Sequence, residues 1–512
     1  VRRLTLLCGL LALLLVAGGC SVWSVEIPWQ KSKPDATASG RPLQPVPDVT
    51  PKGMVDPPAG QGMARYRGQQ LHWSGCQKTL ECTTALVPLD YAHLDGPAIT
   101  LALSRRASTS GHRLGSLFIN PGGPGGSGVE YTGYFKHKGL EDYDIVGWDP
   151  RGVGQSTPVE CLTGKDLENY TEVDNSPDNA SEDKAWIDVN REFGASCLRR
   201  SGALLEHVST PETVRDLDLL RGLVGDRKLN YFGSSYGTYI GALYAQTFPK
   251  NVGRMVLDGA VNITDDETVS QTEGFDRALN NFASWCASQG CRLGATTAAV
   301  LKSIIALWDD LDRNALPVGS RELTQSLAVT GVALVLYENE DSWKYLREGL
   351  EDAVFKRDGS YLLYFADLYN QRDRRGNYGQ SNYSFPAVRC LDTKDKGVTG
   401  ARADAAKDAK RAPSIGRFFG PDMTCPMWPV AAVPDHPKIV AAGAAPIVVI
   451  GTTGDPATPY EFAQMMAKQL ESGVLVTLKG EGHLAYGQST CIQQIAVAYL
   501  VKGTVPRNGT TC

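Results

Sequence analysis

What the chain lacks narrows its chemistry before any motif is read. No block of Lys and Arg stands out beyond the N-terminal Arg2-Arg3 pair, and the formal net charge is −5, so the electrostatic footprint of a nucleic-acid binder is missing. After Leu4–Val16 no apolar run could span a bilayer, and that run is itself too short to do so comfortably. No two cysteines stand at the two-residue gap of a zinc knuckle, and His72 near Cys76 has no matching second pair, so no metal is expected. No internal repeat is evident. Histidine is scarce, with 7 in 512 residues, which leaves few candidates for a catalytic base.

What is present is an ordinary globular balance, 42% hydrophobic and 21% charged, with 54 Gly and 29 Pro pointing to many turns and long loops. The length exceeds what one compact core usually organises, so a large domain with a sizeable insertion, or two domains, is expected. Arg2-Arg3 followed by Leu4–Val16 reads as a signal peptide over residues 1–19. Ala17-Gly18-Gly19-Cys20 resembles the bacterial lipobox, making Cys20 the expected lipidation site and the mature N-terminus. Residues 20–60 read as a Pro- and polar-rich tether. The expected location is therefore outside the cytoplasm, with the chain lipid-anchored to a bacterial cell membrane or envelope. Of the 12 cysteines, ten remain after Cys8 and Cys20 are set aside. An even number in an exported chain indicates disulfides, and pairing sequential neighbours gives Cys76–Cys82, Cys161–Cys197, Cys286–Cys291, Cys390–Cys425 and Cys491–Cys512.

Short β-rich runs alternate with helical periodicity, the pattern of a mainly parallel sheet covered by helices. Eight runs read as strands: Cys82–Asp90, Ala98–Arg106, Ser116–Asn120, Asp144–Trp148, Leu229–Phe232, Arg254–Asp258, Ala445–Ile450 and Val474–Leu478. Thr210-Pro211-Glu212 opens a helix, with the threonine as cap and the proline at the first helical position. From about 262 to 430 the strand pattern gives way to helices, notably Thr297–Leu311, Leu327–Tyr337 and Ser342–Phe355. The expected organisation is a first core segment over 61–261, a helical cap over 262–430 and a closing core segment over 431–512.

Gly233-Ser234-Ser235-Tyr236-Gly237 fits G-x-S-x-G, with a strand before it and a helix, Thr238–Phe248, after it. That strand-to-helix turn raises a serine above the sheet edge. Choosing Ser234 instead would put Phe232 and Tyr236 where the turn needs small residues. A serine hydroxyl needs a base, and the base needs an acid to orient it. Asp455 directly follows the strand Ala445–Ile450, and His483 follows Val474–Leu478. Only His436 and His483 come after the serine, and His436 lies in a Pro-flanked loop ahead of both strands. Ser235, Asp455 and His483 thus stand in the order this fold uses. The oxyanion of acyl transfer needs two N–H donors. Tyr236, next after the nucleophile, supplies one, and the loop Asn120–Gly128 can supply the other. That loop lacks the Lys-Ser/Thr ending of a phosphate cradle, and its prolines remove donors.

Together, Asn120–Gly128, the segment Gly147-Trp148-Asp149-Pro150-Arg151-Gly152-Val153-Gly154, the Ser235 turn, Leu257-Asp258-Gly259, Asp455 and His483 resemble the actinobacterial tripeptidyl aminopeptidases, relatives of prolyl aminopeptidases. The resemblance runs from about Cys82 to the C-terminus. It implies an α/β-hydrolase fold with a mostly parallel eight-stranded sheet and an inserted helical cap. It also implies hydrolysis that releases short peptides from a free N-terminus, and a C-terminal segment carrying acid and base. Pro121-Gly122-Gly123-Pro124-Gly125 is similar to the His-Gly-Gly-Pro-Gly loop of prolyl aminopeptidases, which points to Gly123 as the second oxyanion donor. An aminopeptidase must bind an ammonium, and Glu338, Asn339, Glu340 and Asp341 offer cap groups for it. Glu340 and Asp341 serve equally as first-turn acids of the helix that follows. A monomeric enzyme without metal or organic cofactor is expected, acting on a peptide or, with the same machinery, an ester. The alternative from another class is a surface-binding lipoprotein that has kept the fold without catalysis.

Overall fold

Strand side chains alternate between the two faces of a sheet, and here that alternation sorts the apolar residues into two cores. Leu117, Ile119, Ile145, Phe232, Val256, Val448 and Ile450 pack on one face. Phe118, Val146, Trp148, Tyr231, Met255, Leu257, Ile447 and Val449 pack on the other. Strands covered on both sides read as continuous apolar runs, and Gly115–Asn120 and Tyr143–Trp148 are accordingly buried along their whole length.

The computed structural model describes residues 40–77, 79–433 and 438–512. The signal segment 1–19 and Cys20 therefore lie outside the described residues, as does His436. Thirteen strands are present among the described residues: β1 (Met54–Val55), β2 (Ser74–Gln77), β3 (Leu80–Pro88), β4 (Ala98–Arg106), β5 (Gly115–Asn120), β6 (Tyr143–Trp148), β7 (Leu229–Ser234), β8 (Val252–Asp258), β9 (Leu316–Val318), β10 (Arg321–Leu323), β11 (Ile447–Gly454), β12 (Gly473–Glu481) and β13 (Thr510–Thr511). Eleven of them form one sheet in the order β13-β12-β11-β8-β7-β5-β6-β4-β3-β2, with β1 on β4. From β6 across to β13 the neighbours are parallel. This is the α/β-hydrolase fold. All eight expected strands are in the sheet, and β1, β2 and β13 enlarge it to eleven. Those three are two to four residues long, too short for alternation to register. Backbone pairing and the Cys491–Cys512 disulfide fix β13 beside β12. All five disulfides join the expected pairs.

Three boundaries differ from expectation. The expected tether reaches residue 60, but the chain is docked from Arg41 onward. The Arg41 guanidinium, 1% exposed, donates to the carbonyls of Cys390 (2.9 Å), Val430 (3.0 Å) and Thr393 (3.2 Å) and pairs with Asp395. Second, the helical region 262–430 divides between two cores. Helices from Gln271–Ser288 to Ser360–Tyr369 enclose Phe282, Trp308, Trp343 and Phe418, whereas the helix Ser381–Asp392 sends Ala387, Val388, Cys390 and Leu391 into the hydrolase core beside Cys425 and Trp428. The Cys390–Cys425 bond ties these last two stretches together. Third, the helix Thr210–Leu223 begins one residue earlier than expected: Thr210 is its first residue and Pro211 its second, Ser209 stands at the cap position without a side-chain cap bond, and the Asp392 carboxylate accepts the Thr210 N–H at 3.0 Å. The helices Lys165–Glu172 and Ala180–Ser201, ahead of it, have no counterpart among the expected elements. Ala180–Ser201 is charge-rich, and Asn179 caps it through the N–H groups of Ser181 and Glu182.

Candidate active site

Because β5, β6, β7, β8, β11 and β12 are parallel, the residues leaving their C-terminal ends gather along one edge of the sheet, where ligands bind in this class of fold. Asn120, Ser234, Asp258, Gly454 and Glu481 are the last residues of β5, β7, β8, β11 and β12. Ser235 follows directly in the left-handed conformation, φ 52°, a strained state for a non-glycine residue that marks a built turn. Its N–H donates to the Asp258 carbonyl at 2.8 Å, and Thr238 N–H donates back to the Ser235 carbonyl at 2.8 Å. Gly233 has to be glycine because a Cβ there would stand 2.4 Å from the Gly237 carbonyl oxygen.

Asp455 is buried and fully occupied as an acceptor. One oxygen accepts Ala457 N–H (2.9 Å) and Thr458 N–H (2.8 Å), and the other accepts the Thr458 hydroxyl at 3.0 Å. His483 Nδ1 lies 2.9 Å from Asp455 Oδ2. That contact assigns the proton to Nδ1 and leaves Nε2 as the basic nitrogen. Nε2 is buried with no hydrogen-bond partner among the described residues, so no bond to Ser235 Oγ is closed in this resting geometry. Burial alone would lower the His483 pKa, but the Asp455 carboxylate, with Asp258 behind it, outweighs burial and raises it above the usual 6.5.

The loop after β5 lies against the Ser235 turn. A Cβ on Gly122 would stand 2.4 Å from Ser234 O and 2.7 Å from Tyr236 N, so only glycine allows this approach. Gly122 N–H is taken by Asn120 Oδ1 at 2.9 Å. The N–H groups of Gly123 and Tyr236 have no partner among the described residues. The far end of the loop is fastened by Asp149, which accepts from Ser127 Oγ (2.6 Å), Val129 N–H (3.0 Å) and Gln155 N–H (2.7 Å). Arg151, two residues on, is buried in a bidentate pair with Asp216, both bonds 2.8 Å. The Tyr236 hydroxyl donates to Asp392 at 2.6 Å.

The cap residues considered for an ammonium are divided. Glu338, Glu340 and Asp341 are exposed. Glu340 and Asp341 occupy the first turn of the helix Glu340–Lys356, whose side-chain cap is Asn339, accepting Asp341 N–H at 3.2 Å. Yet this segment reaches the base. Tyr337 O accepts His483 N–H at 2.7 Å, the two rings meet edge-on at 5.3 Å, and the Glu338 peptide lies against Gly482. Glu481, two residues before His483, receives Asn281 Nδ2 on one oxygen at 3.0 Å, while its buried Oε2 has no hydrogen-bond partner among the described residues. Burial raises its pKa, and Glu340's charge adds to that.

Three contributors were not legible in the sequence. Asp258 stands inside Leu257-Asp258-Gly259, which carries the family resemblance, and Thr458 stands three residues after Asp455, but nothing in the letters gave either a role. Tyr337 ends an apolar helix and gave no signal. Among the described residues one group brings metal-ligating atoms together: those of Asp90, His207 and Glu212 lie within 4.8 Å of one another. His207 Nδ1 already contacts Glu212 at 3.0 Å, and the permanent Arg151 cation stands 3.4 Å from that carboxylate, so the cluster is an internally neutralised ion-pair network.

Residues 412–512, which include Asp455 and His483, match the family model described as TAP-like protein. The chain is 37% identical over 481 residues to serine protease Hip1 of Mycobacterium tuberculosis, covering 87% of this chain and 91% of that one. Against carboxylesterase B of the same organism it is 35% identical over 488 residues, covering 89% and 93%. With tripeptidyl aminopeptidase of Streptomyces lividans it shares 30% identity over 478 residues, 88% of each chain. The chain belongs to the tripeptidyl aminopeptidase family of α/β-hydrolases. It is a serine hydrolase, and its relatives carry names for both peptide and ester hydrolysis.

Proposed function

We propose that this hydrolase is an exopeptidase that releases short peptides from free N-termini through an acyl-enzyme. Ser235 Oγ attacks the scissile carbonyl while His483 Nε2 takes its proton, and the tetrahedral oxyanion forms against the N–H groups of Gly123 and Tyr236. His483 then protonates the leaving amine, and water, activated by the same imidazole, releases the acyl group. Asp455 keeps Nδ1 protonated and stabilises the imidazolium.

The observation that carries the peptide reading over the ester reading is the unpartnered Glu481 Oε2 two residues ahead of the base, with Glu340's charge beside it. A buried carboxylate lacking one partner suits a substrate ammonium, and an uncharged ester would leave it unfilled. The relative named carboxylesterase B supports ester hydrolysis by the same machinery as the second reading. A panel of free-amine peptide anilides, their N-acetylated counterparts and acyl esters separates the two. Free-amine substrates should lead in kcat/KM, and equal turnover of blocked and free peptides would remove the aminopeptidase reading. Five disulfides support an oxidising compartment, and with it the reading of Cys20 as a lipid anchor at the cell envelope. A Cys20→Ala variant released into the medium is the expected outcome. Retention on the membrane would count against Cys20.

A further inference from the structure

Asp258 is a fully buried carboxylate to which the triad gives no task. It ends β8, the strand between the nucleophile's strand β7 and the acid's strand β11. Its backbone carbonyl receives the Ser235 N–H at 2.8 Å. Its carboxylate receives the N–H groups of Ala485, at 3.0 Å, and Tyr486, at 2.8 Å. Both donors belong to the loop that presents His483, in which Leu484 holds a left-handed φ of 70°. The turn continues under the imidazole: a Cβ on Gly259 would lie 3.1 Å from His483 Cε1. One residue thus holds the nucleophile's backbone with its peptide and the base's loop with its side chain.

We propose that Asp258 is a positioning residue that fixes His483 over Ser235 and, as a second carboxylate beneath the imidazole, favours its protonated form during acyl transfer. This rests on the reading of Ser235 and His483 as nucleophile and base. Two N–H donors locked on a buried carboxylate hold a loop more firmly than neutral acceptors do, and outer carboxylates that orient a catalytic imidazole act through its tautomer and basicity. The charged and titratable groups facing Asp258 are His483, Asp455, Tyr131 and Tyr486. Burial drives its carboxyl up to about 6, against the pull of the Tyr486 and Ala485 N–H groups and of His483. The Asp258 and His483 charges favour one another, so the two groups titrate as a coupled pair.

The test is the acid limb of the kcat/KM profile, measured for the wild type and for Asp258→Asn. In the wild type, the slope should steepen from one proton towards two below about pH 6. Asp258→Asn should lose about tenfold or more in kcat with KM within about twofold, and its acid limb should follow one proton and lie about one pH unit lower, because the imidazolium has lost a neighbouring negative charge. A purely structural residue would lower the melting temperature and leave the profile where it was, which would overturn the proposal. If Asp258→Asn does not fold, the wild-type limb decides alone: a single-proton slope down to pH 5 overturns it. Fluorophosphonate labelling of the wild type but not of Ser235→Ala, run in parallel, separates failure of this inference from failure of the triad reading.

Discussion

The edge of the sheet and the cap above it meet at His483 but are held together differently. Around Asp455, three N–H groups, a hydroxyl and an imidazole fill the acceptor positions of one buried carboxylate. On the cap side, Glu338, Glu340 and Asp341 face solvent, and at the end of β12 Glu481 keeps an oxygen without a hydrogen-bond partner among the described residues. A satisfied buried network is rigid because any rearrangement strands a polar group, whereas an exposed acid can turn towards whatever arrives. Reaction geometry is thus preorganised in the core, whereas the exposed acids sit on an insertion with its own hydrophobic centre.

The sharpest way to break this division is to remove the nucleophile. Ser235→Ala should abolish fluorophosphonate labelling and reduce kcat/KM by about 10⁴-fold or more, with an unchanged melting temperature. Substantial residual turnover would move the chemistry away from the sheet edge. Next in size is Gly122→Ala. Its methyl group would enter the space of Ser234 O and Tyr236 N, forcing the donor loop off the turn. Because oxyanion donors act on the transition state, kcat should fall by about 10²-fold while KM changes little. A rise in KM alone would mean that this loop binds substrate rather than stabilising charge.

The contrast between core and cap also governs what could be read from sequence. Ser235, Asp455 and His483 were legible because each lies one or two residues after the end of a strand, and the order of strand ends in this fold is fixed by topology. The apolar strands themselves were legible because burial on both faces leaves little room for polar residues. Tyr337 was not, since it supports His483 through its backbone carbonyl and ring face, and neither imposes a spacing. Asp392 was hidden for a related reason: it caps the helix at Thr210 from a helix that begins at Ser381, a contact created only by folding. Arg41 sits in a proline-rich stretch that reads as linker, although its guanidinium reaches three carbonyls. Arg41→Ala should therefore cost about 2 kcal/mol, through carbonyls left unsatisfied and an unpaired Asp395, seen as a lower urea midpoint with kcat unchanged. No shift in the midpoint would restore residues 40–60 to the tether.

The smallest expected effect bears on the cap. If Glu481 and Glu340 share a substrate ammonium, Glu340→Gln removes the outer, solvent-screened charge of the pair, and such charges contribute modestly. KM for free-amine peptides should rise by about threefold, with KM for N-acetylated peptides and esters unaltered. Stability should change by no more than about 0.5 kcal/mol, as for other exposed substitutions. A first-turn acid acting only on its helix predicts the reverse pattern: a small stability loss from the helix dipole and no difference between blocked and free substrates. Asp341→Asn provides the internal comparison, because Asp341 occupies the same first turn and carries the same charge, while Glu340, not Asp341, acts on Glu481. A KM effect confined to Glu340→Gln assigns recognition to the cap acid whose charge acts on Glu481; equal effects at both positions assign it to the general negative field of the helix start.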